Sequence, residues 1–153
     1  MDAEITPYII PYKDEHRAAC ISVFKSNIGQ YFDQSELAGF EEFLDNHVFT
    51  TQYFVVTIKG NVMGCGGYYF NNGVVRLIEG MVDKTCHKTG LGKLLLEFRL
   101  QKSIEEYPDN PIGIDTSQHT EGFFNKYGFE TTNTMKDFYG KGIDRVSMLY
   151  QTK

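Results

Sequence analysis

The hydrophobic pattern changes its period several times along the chain, and each change predicts a different kind of element. Residues 5–11 suggest a short strand. Apolar residues at helical spacing then predict one helix beginning near Glu15 and a second over 34–46. Runs rich in β-branched and aromatic residues predict three strands over 53–58, 62–70 and 74–83. Because short turns at 59–61 and 71–73 separate these strands, we expect an antiparallel meander.

In the second half of the chain, helix and strand patterns alternate. A broad apolar stripe from 90 to about 106 predicts a helix that packs on a sheet. Short strands are predicted over 112–115, 129–135 and 145–150, with a short helix over 120–126. The resulting order, β-α-α-β-β-β-α-β-α-β-β, predicts one α/β domain over 1–153 with a mixed sheet. Its central strand–helix–strand unit should be parallel and right-handed.

Composition narrows the class of protein. With 153 residues, 41% of them hydrophobic and 23% charged, the chain should form one soluble globular domain. A net charge of −5 argues against nucleic acid or an anionic membrane as a partner. The three cysteines have no metal-ligand spacing, so we expect free thiols, no metal site and a reducing compartment. Since we find neither a signal-peptide pattern nor an apolar run of ~20 residues, a cytoplasmic location is expected.

The segment 84–93 runs against the acidic balance of the chain. It contains Lys84, Lys88 and Lys93 and no acidic residue, and it connects a predicted strand to a predicted helix. The first N–H groups of a helix lack internal partners and attract anions, and Gly90 and Gly92 let the backbone approach a ligand closely. We therefore predict a phosphate or pyrophosphate site, with coenzyme A as the favoured ligand. A site for ATP or NAD, or a plain tight turn, is the alternative.

Two sequence blocks resemble the GNAT superfamily of N-acetyltransferases. The block 87–92, His-Lys-Thr-Gly-Leu-Gly, is similar to the family's acetyl-CoA motif, Arg/Gln-x-x-Gly-x-Gly/Ala, and Val82 precedes it at the family's spacing. The block 123–129, Phe-Phe-Asn-Lys-Tyr-Gly-Phe, is similar to a second family block, Phe-Tyr-x-Lys-x-Gly-Phe. The resemblance implies a three-layer α/β fold with about four helices. Its twisted sheet of six or seven strands would be mixed and mostly antiparallel.

The resemblance also implies a function and a cofactor site. The function is transfer of an acetyl group from acetyl-CoA to a primary amine, on a small molecule or a protein, by direct attack in a ternary complex. The implied cofactor-binding residues are Met81, Val82, His87, Lys88, Thr89, Gly90, Leu91, Gly92, Lys93, Ser117, Phe124 and Lys126. Backbone N–H groups of 87–93 would hold the pyrophosphate, with Lys88 and Lys126 as phosphate contacts. The backbone of Val82 would meet the pantetheine arm.

Glu79 is the predicted general base. It interrupts an apolar strand, and partial burial there would raise its pKa and make it a better base. In the family, a Glu near this position often accepts the proton of the amine, usually through water. The alternative for Glu79 is a surface carboxylate that pairs with Arg76 or a lysine.

The sequence does not identify a single residue as the proton donor for the departing thiolate. Phe124 stands where the family often has a Tyr, and a phenyl ring has no proton to donate. Ser117 and Tyr127 are predicted to act in its place, His119 is a further candidate, and Tyr139 is expected in a loop at the acceptor site. The substitution also leaves open a non-catalytic acyl-CoA sensor on the same fold. A homodimer with aromatic residues at its interface is a third alternative.

Overall fold

The computed structural model describes residues 6–151, in which seven strands form one sheet with helices on both faces. The strands are β1 (Tyr8–Pro11), β2 (Gln52–Ile58), β3 (Asn61–Asn71), β4 (Val74–Val82), β5 (Ile112–Thr116), β6 (Phe129–Gly140) and β7 (Ile143–Tyr150). The α-helices are α1 (Arg17–Ser26), α2 (Leu37–Asn46), α3 (Leu91–Glu106) and α4 (Gln118–Lys126). Short 3-10 turns at Asp14–His16 and Gln34–Glu36 precede α1 and α2, so these two helices begin later than their apolar patterns predict.

The sheet has the order β1-β2-β3-β4-β5-β7-β6. Its neighbouring strands are antiparallel except for β4 and β5, which are parallel and are connected through α3. This is the predicted order of elements, and it confirms the mixed, mostly antiparallel α/β architecture. The meander predicted for the first three long strands is also confirmed.

Each face of the sheet carries its own core, because neighbouring residues on a strand point to opposite faces. On β2, Val55 packs in the core beneath α1 and α2, whereas Val56 packs in the core beneath α3. On β3, Cys65 belongs to the first of these cores and Tyr68 to a cluster shared with α3 and α4. The sheet is therefore the middle of three layers.

The two parallel strands separate at their carboxyl ends. Pairing between β4 and β5 runs from Val75↔Ile112 to Leu77↔Ile114 and stops there, although β4 continues to Val82. The backbone edge of β4 beyond Leu77 is therefore unpaired on the β5 side. Open α/β sheets bind ligands beyond the carboxyl ends of their strands, where connections diverge. This V-shaped opening, hereafter the cleft, is where the candidate site lies.

A β-bulge deforms β4 beside the cleft. The register moves from Cys65↔Met81 to Gly67↔Ile78, so that Gly66 faces both Glu79 and Gly80. Glu79 has φ +45°, a left-handed conformation that costs a residue with a side chain about 1–2 kcal/mol. Bulges of this kind commonly re-aim a side chain next to a binding site.

The hairpin of β6 and β7 differs from its predicted form. β6 extends beyond its predicted end at 135 to Gly140, whereas β7 begins at Ile143, shortly before the predicted 145, and the strands meet at the tight turn Lys141-Gly142. Tyr139 consequently lies in β6, and its predicted place in a loop is wrong. Side-chain hydrogen bonds support this end of the hairpin, because the Asp144 carboxylate accepts from the Asp137 N–H (2.9 Å) and the Asp137 carboxylate accepts from the Gly142 N–H (2.7 Å).

No helix in residues 6–151 is long and apolar enough to cross a membrane. The strand predicted over 5–11 begins at Tyr8, and its first residue lies outside the described residues.

Candidate active site

The loop between β4 and α3 bends the chain sharply towards the start of the helix. The Asp83 carboxylate accepts a hydrogen bond from the Thr85 N–H (3.0 Å), which caps the 3-10 turn Lys84–Cys86. Lys88 and Gly90 then have φ +65° and +91°. Glycine takes this left-handed conformation without strain, which explains its use at the position that precedes α3.

The first turn of α3 presents free backbone donors. The first hydrogen bond of the helix runs from the Leu94 N–H to the Gly90 carbonyl (3.0 Å). The N–H groups of Leu91, Gly92 and Lys93 precede it, and no protein acceptor meets them among the described residues. The side chain of Leu91 is buried in the core, so this residue offers only its backbone. Together with the helix dipole, these groups can bind a phosphate.

The other N–H groups that were predicted to bind the pyrophosphate fall into two groups, those that already donate to a carbonyl and those that do not. The N–H groups of His87 and Thr89 already donate to the carbonyls of Lys84 (3.3 Å) and Cys86 (3.4 Å). The Thr89 hydroxyl donates to the same Cys86 carbonyl (2.5 Å). The N–H groups of Lys88 and Gly90 have no such acceptor within the described chain. The structure thus reduces the seven predicted donors to five, at Lys88, Gly90, Leu91, Gly92 and Lys93.

The carbonyl of Val82 is occupied from two sides. It accepts a hydrogen bond from Nδ2 of Asn27 (2.9 Å) and one from Nε2 of His87 (3.2 Å). Asn27 is only 4% exposed, so this contact ties the end of α1 to the end of β4. His87 is therefore turned towards the strand, where it holds the loop in place. The side chain of Met81 is buried in the core under α1 and α2, which leaves its backbone for any ligand contact.

An aromatic contact spans the mouth of the cleft. Tyr31, from the segment between α1 and α2, meets His87 edge-on at 5.0 Å between ring centroids. The same ring lies 6.1 Å from His119 at the start of α4. Tyr31 therefore connects the loop between β4 and α3, hereafter the proposed phosphate-binding loop, with helix α4.

Helix α4 holds four of the predicted site residues in different surroundings. Ser117, only 6% exposed, directly follows β5, and its hydroxyl oxygen caps the helix by accepting a hydrogen bond from the His119 N–H (3.3 Å). Phe124 is buried among other apolar residues, including Phe129. At the far end of the helix, the exposed Lys126 lies beside Tyr127.

Tyr127 lies between two lysines. Its ring is 6.0 Å from Nζ of Lys93 and 5.7 Å from Nζ of Lys126, and it packs edge-on against Phe123 at 5.0 Å. These neighbours place Tyr127 on the phosphate-binding side of the cleft. Glu79, by contrast, lies among residues of the other side.

The bulge presents the Glu79 carboxylate at the floor of the cleft. Glu79 is exposed at the surface of the cleft, and the protein atoms packed around its carboxylate remove part of the solvation that a charge needs. This loss of solvation raises the pKa of Glu79 to about 7, and the negative charge of Glu36 adds to the effect. A carboxylate with such a pKa can both accept and release a proton near neutral pH. The phenol of Tyr53 donates to the backbone carbonyl of Glu79 (2.7 Å), which fixes the bulge on one side.

The wall facing Glu79 is acidic. Glu36 accepts a hydrogen bond from the Asp33 N–H (2.8 Å), and burial raises its pKa. Burial also raises the pKa of Tyr139 well above its usual range, with the nearby carboxylates of Asp115, Glu36 and Glu79 contributing, so its phenol stays protonated. These groups come from four separate segments of the chain. They form the side of the cleft opposite the proposed phosphate-binding loop.

Comparison with known proteins identifies the family. A family model described as an acetyltransferase (GNAT) domain matches residues 26–152. The chain belongs to the GNAT family of acetyltransferases. This confirms, at the level of the family, the predicted enzyme class of N-acetyltransferase and the predicted cofactor, acetyl-CoA.

Solved GNAT structures share the fold across almost the whole chain. A protein from Desulfovibrio desulfuricans assigned to the GNAT family has a TM-score of 0.78 and 18% identity over 95% of this chain and 99% of its own. The ribosomal-protein-S18-alanine N-acetyltransferase of Escherichia coli has a TM-score of 0.74 and 15% identity, over 95% of this chain and 93% of its own. A GNAT acetyltransferase from Elizabethkingia anophelis, solved with acetyl-CoA bound, has a TM-score of 0.71 and 14% identity, over 99% of this chain and 100% of its own.

A curated relative is matched over a shorter stretch. A UPF0039 protein from Synechocystis is 27% identical over 71 residues, which is 46% of this chain. The match spans 45% of the length of that relative.

Several residues in or beside the cleft were not singled out from the sequence, among them Glu36, Asn27, Tyr53, Asp115 and the buried Arg99 of α3. Glu36 could have been found, because Asp33-x-x-Glu36 has the spacing of a capping box, and both of its hydrogen bonds are formed. Arg99 could also have been noticed, as a charge in the apolar stripe of α3. Asn27 has no local signal, since its partner Val82 is far away in the sequence. In residues 6–151, no group of three or more His, Cys, Asp or Glu side chains is arranged to hold a metal ion.

Proposed function

We propose that this GNAT domain transfers the acetyl group of acetyl-CoA to a primary amine by direct attack, with both substrates bound at once. One observation carries the proposal. A carboxylate whose pKa is raised to about 7, Glu79, lies on the unpaired end of β4, which leads directly into the proposed phosphate-binding loop. The proposed proton acceptor and the proposed binding site for the acyl donor thus lie on one short stretch of the chain.

In this proposal, acetyl-CoA is held by backbone and lysine groups. The free N–H groups of Lys88, Gly90, Leu91, Gly92 and Lys93 bind the pyrophosphate, and Lys88 and Lys126 are exposed cations for the remaining phosphate. The pantetheine arm occupies the opening between β4 and β5. There, backbone N–H groups of β4 stabilise the negative charge that develops on the thioester oxygen.

The amine approaches from the acidic side of the cleft. The carboxylates of Glu36, Glu79 and Asp115 favour a protonated, cationic amine as the incoming substrate. Glu79, directly or through water, removes one proton from the ammonium nitrogen. The free amine attacks the thioester carbon, and as the C–N bond forms and the C–S bond breaks, the nitrogen releases its second proton to water. The coenzyme A thiolate leaves with the electron pair of the C–S bond.

Two hydroxyl groups are candidates to protonate the thiolate. Ser117 directly follows β5 and so lies at the rim of the opening. Tyr127 lies farther along α4 between Lys93 and Lys126, where it suits an interaction with the phosphate-binding side. We therefore favour Ser117 for the proton transfer. A thiolate is also a good leaving group, so the expected effect of losing either hydroxyl is modest.

Two measurements test the function. Calorimetry with acetyl-CoA measures binding of the donor, and release of the free thiol in the presence of polyamines, small monoamines and peptides measures transfer. We expect binding at micromolar concentration and thiol release with at least one cationic amine. Tight binding without turnover on any amine would contradict the proposal and favour the acyl-CoA sensor that the apolar Phe124 leaves open. Absence of binding by the folded protein would contradict both.

A further inference from the structure

Helix α3 carries a buried charge that has no counter-ion among residues 6–151. Arg99 is 3% exposed, and burial lowers its pKa to about 10, so the guanidinium remains charged at neutral pH. Its terminal nitrogen donates a long hydrogen bond to the Gly67 carbonyl (3.5 Å), and its Nε has no partner among the described residues. Burying a guanidinium is costly, and such groups are usually paired with a carboxylate. An unpaired one calls for a structural or functional reason.

The guanidinium lies on the bulge of β4. A Cβ atom placed on Gly80 would be 2.7 and 2.8 Å from the two terminal nitrogens of Arg99. A Cβ atom on Gly66 would be 3.4 Å from its Cζ. Gly66 faces both Glu79 and Gly80 in the strand pairing, so Arg99 occupies the space that the glycines leave at the bulge. Through Gly67 and Gly80 it contacts both strands.

Glu79 depends on this local geometry. Its positive φ is retained only where the surroundings oppose relaxation to ordinary extended backbone. Tyr53, from β2, holds its carbonyl, and the guanidinium of Arg99 fills the space beneath the next residue. The causes that raise the pKa of Glu79 are burial and Glu36, not a contact with Arg99. Any influence of Arg99 on Glu79 therefore acts through the backbone.

We propose that Arg99 is a positioning residue that keeps the bulge in shape and thereby aims Glu79 into the cleft. The proposal deepens the function proposed above, since it rests on Glu79 as the general base. The titratable groups around Glu79 are Glu36 before α2, Tyr139 on β6, Tyr53 on β2 and Cys65 on β3, and Arg99 is the cation on α3. Without Arg99, the backbone relaxes and the carboxylate moves away from Glu36 into bulk water.

The first test is Arg99→Met, which keeps the length and apolar stem of the side chain and removes the guanidinium. Carbon-detected NMR titration of the Glu79 carboxyl, identified by the loss of its signal in Glu79→Gln, follows the geometry without requiring turnover. We expect the midpoint to fall by about one pH unit, while the affinity for acetyl-CoA is unchanged. Where an amine substrate is found, kcat should fall by about tenfold or more. The pH at which kcat rises should shift by the same amount as the NMR midpoint of Glu79. An unchanged Glu79 midpoint in Arg99→Met overturns the proposal.

Two further variants separate positioning from stability. Leu96→Ala removes another buried side chain of α3, so it should lower the melting temperature and leave the Glu79 titration in place. Gly80→Ala keeps Arg99 and displaces its guanidinium from the opposite side, so it should shift the titration in the same direction as Arg99→Met. If Arg99→Met does not fold, Gly80→Ala decides the matter, and an unchanged midpoint there overturns the proposal. Failure of the wild type to acetylate any amine contradicts only the proposed function, since the titration does not depend on turnover.

Discussion

The phenol of Tyr53 reaches across one strand to donate a hydrogen bond to the backbone carbonyl of Glu79, at 2.7 Å. Tyr53 is on β2 and Glu79 on β4, with β3 between them. The Tyr53 side chain can pass over β3 because its pairing partner on that strand is Gly67. A Cβ atom on Gly67 would lie 2.7 Å from the Tyr53 ring. The bulge that presents the proposed base is therefore fixed by a residue two strands away.

Replacing Tyr53 by Phe should loosen the bulge. The change removes a buried hydrogen bond, and we expect a loss of about 1 kcal/mol in the free energy of unfolding together with a lower kcat. Tyr12→Phe is the matched control, because the Tyr12 hydroxyl is buried without a partner in residues 6–151. Its removal should leave stability unchanged or raise it. Denaturant unfolding of both variants makes the comparison, and equal losses would contradict the assigned role of Tyr53.

Replacing Glu79 by Gln should remove the general base and leave the donor site intact. We expect kcat to fall by about 10²–10⁴-fold, with acetyl-CoA affinity unchanged by calorimetry. In the wild type, kcat/KM should rise with pH through about 7, because the carboxylate must be deprotonated to accept the proton of the amine. This acid limb should be absent from the variant. Glu97→Gln, at an exposed position on α3, serves as the control and should keep both the rate and the limb.

The same carboxyl group should make stability depend on pH. The folded protein raises the pKa of Glu79 from 4.5 to about 7, so it binds the proton more tightly than the unfolded chain does. The resulting stabilisation is complete below the unfolded value and is lost as the pH rises through the folded value. Melting temperatures of the wild type and Glu79→Gln should agree near pH 4, and the variant should melt higher at pH 8. A constant difference across this range would show that Glu79 keeps an ordinary pKa.

A negative charge at the start of α3 should weaken binding of acetyl-CoA. Gly92→Glu places a carboxylate among the free N–H groups. The fold should tolerate it, because a Cβ atom there meets only Phe123, at 3.6 Å. We expect the dissociation constant to rise at least about tenfold, a loss of ~1.4 kcal/mol. Gly39→Glu is the matched control, since Gly39 lies in α2 with open space around it, and it should bind normally. Equal affinity of both variants would place the phosphates elsewhere.

Patterns of neighbouring residues were sufficient to predict the order of strands and helices and the glycine-containing turn that precedes α3. Helix periods, strand alternation and the glycines at 90 and 92 are local properties, set by the backbone conformations that each residue allows. The family resemblance depended on two such short blocks, and the match to residues 26–152 confirms it. Glu79 was also singled out from its own strand; its pKa is raised, and its role as a base stays a prediction.

The surroundings of that base depend on residues distant in sequence. Glu36, Tyr53, Arg99 and Tyr139 come from four separate elements and meet only because the sheet brings those elements together. Tyr139 lies near the end of β6, where the register with β7 shifts between Met135 and Gly140, and a hydrophobic period does not record such a shift. The sequence by itself determined the order of the elements and the position of the glycine-containing turn before α3, because both depend on neighbouring residues. Only the tertiary structure decided which side chains surround Glu79, because burial and charge at a point depend on every segment packed around it.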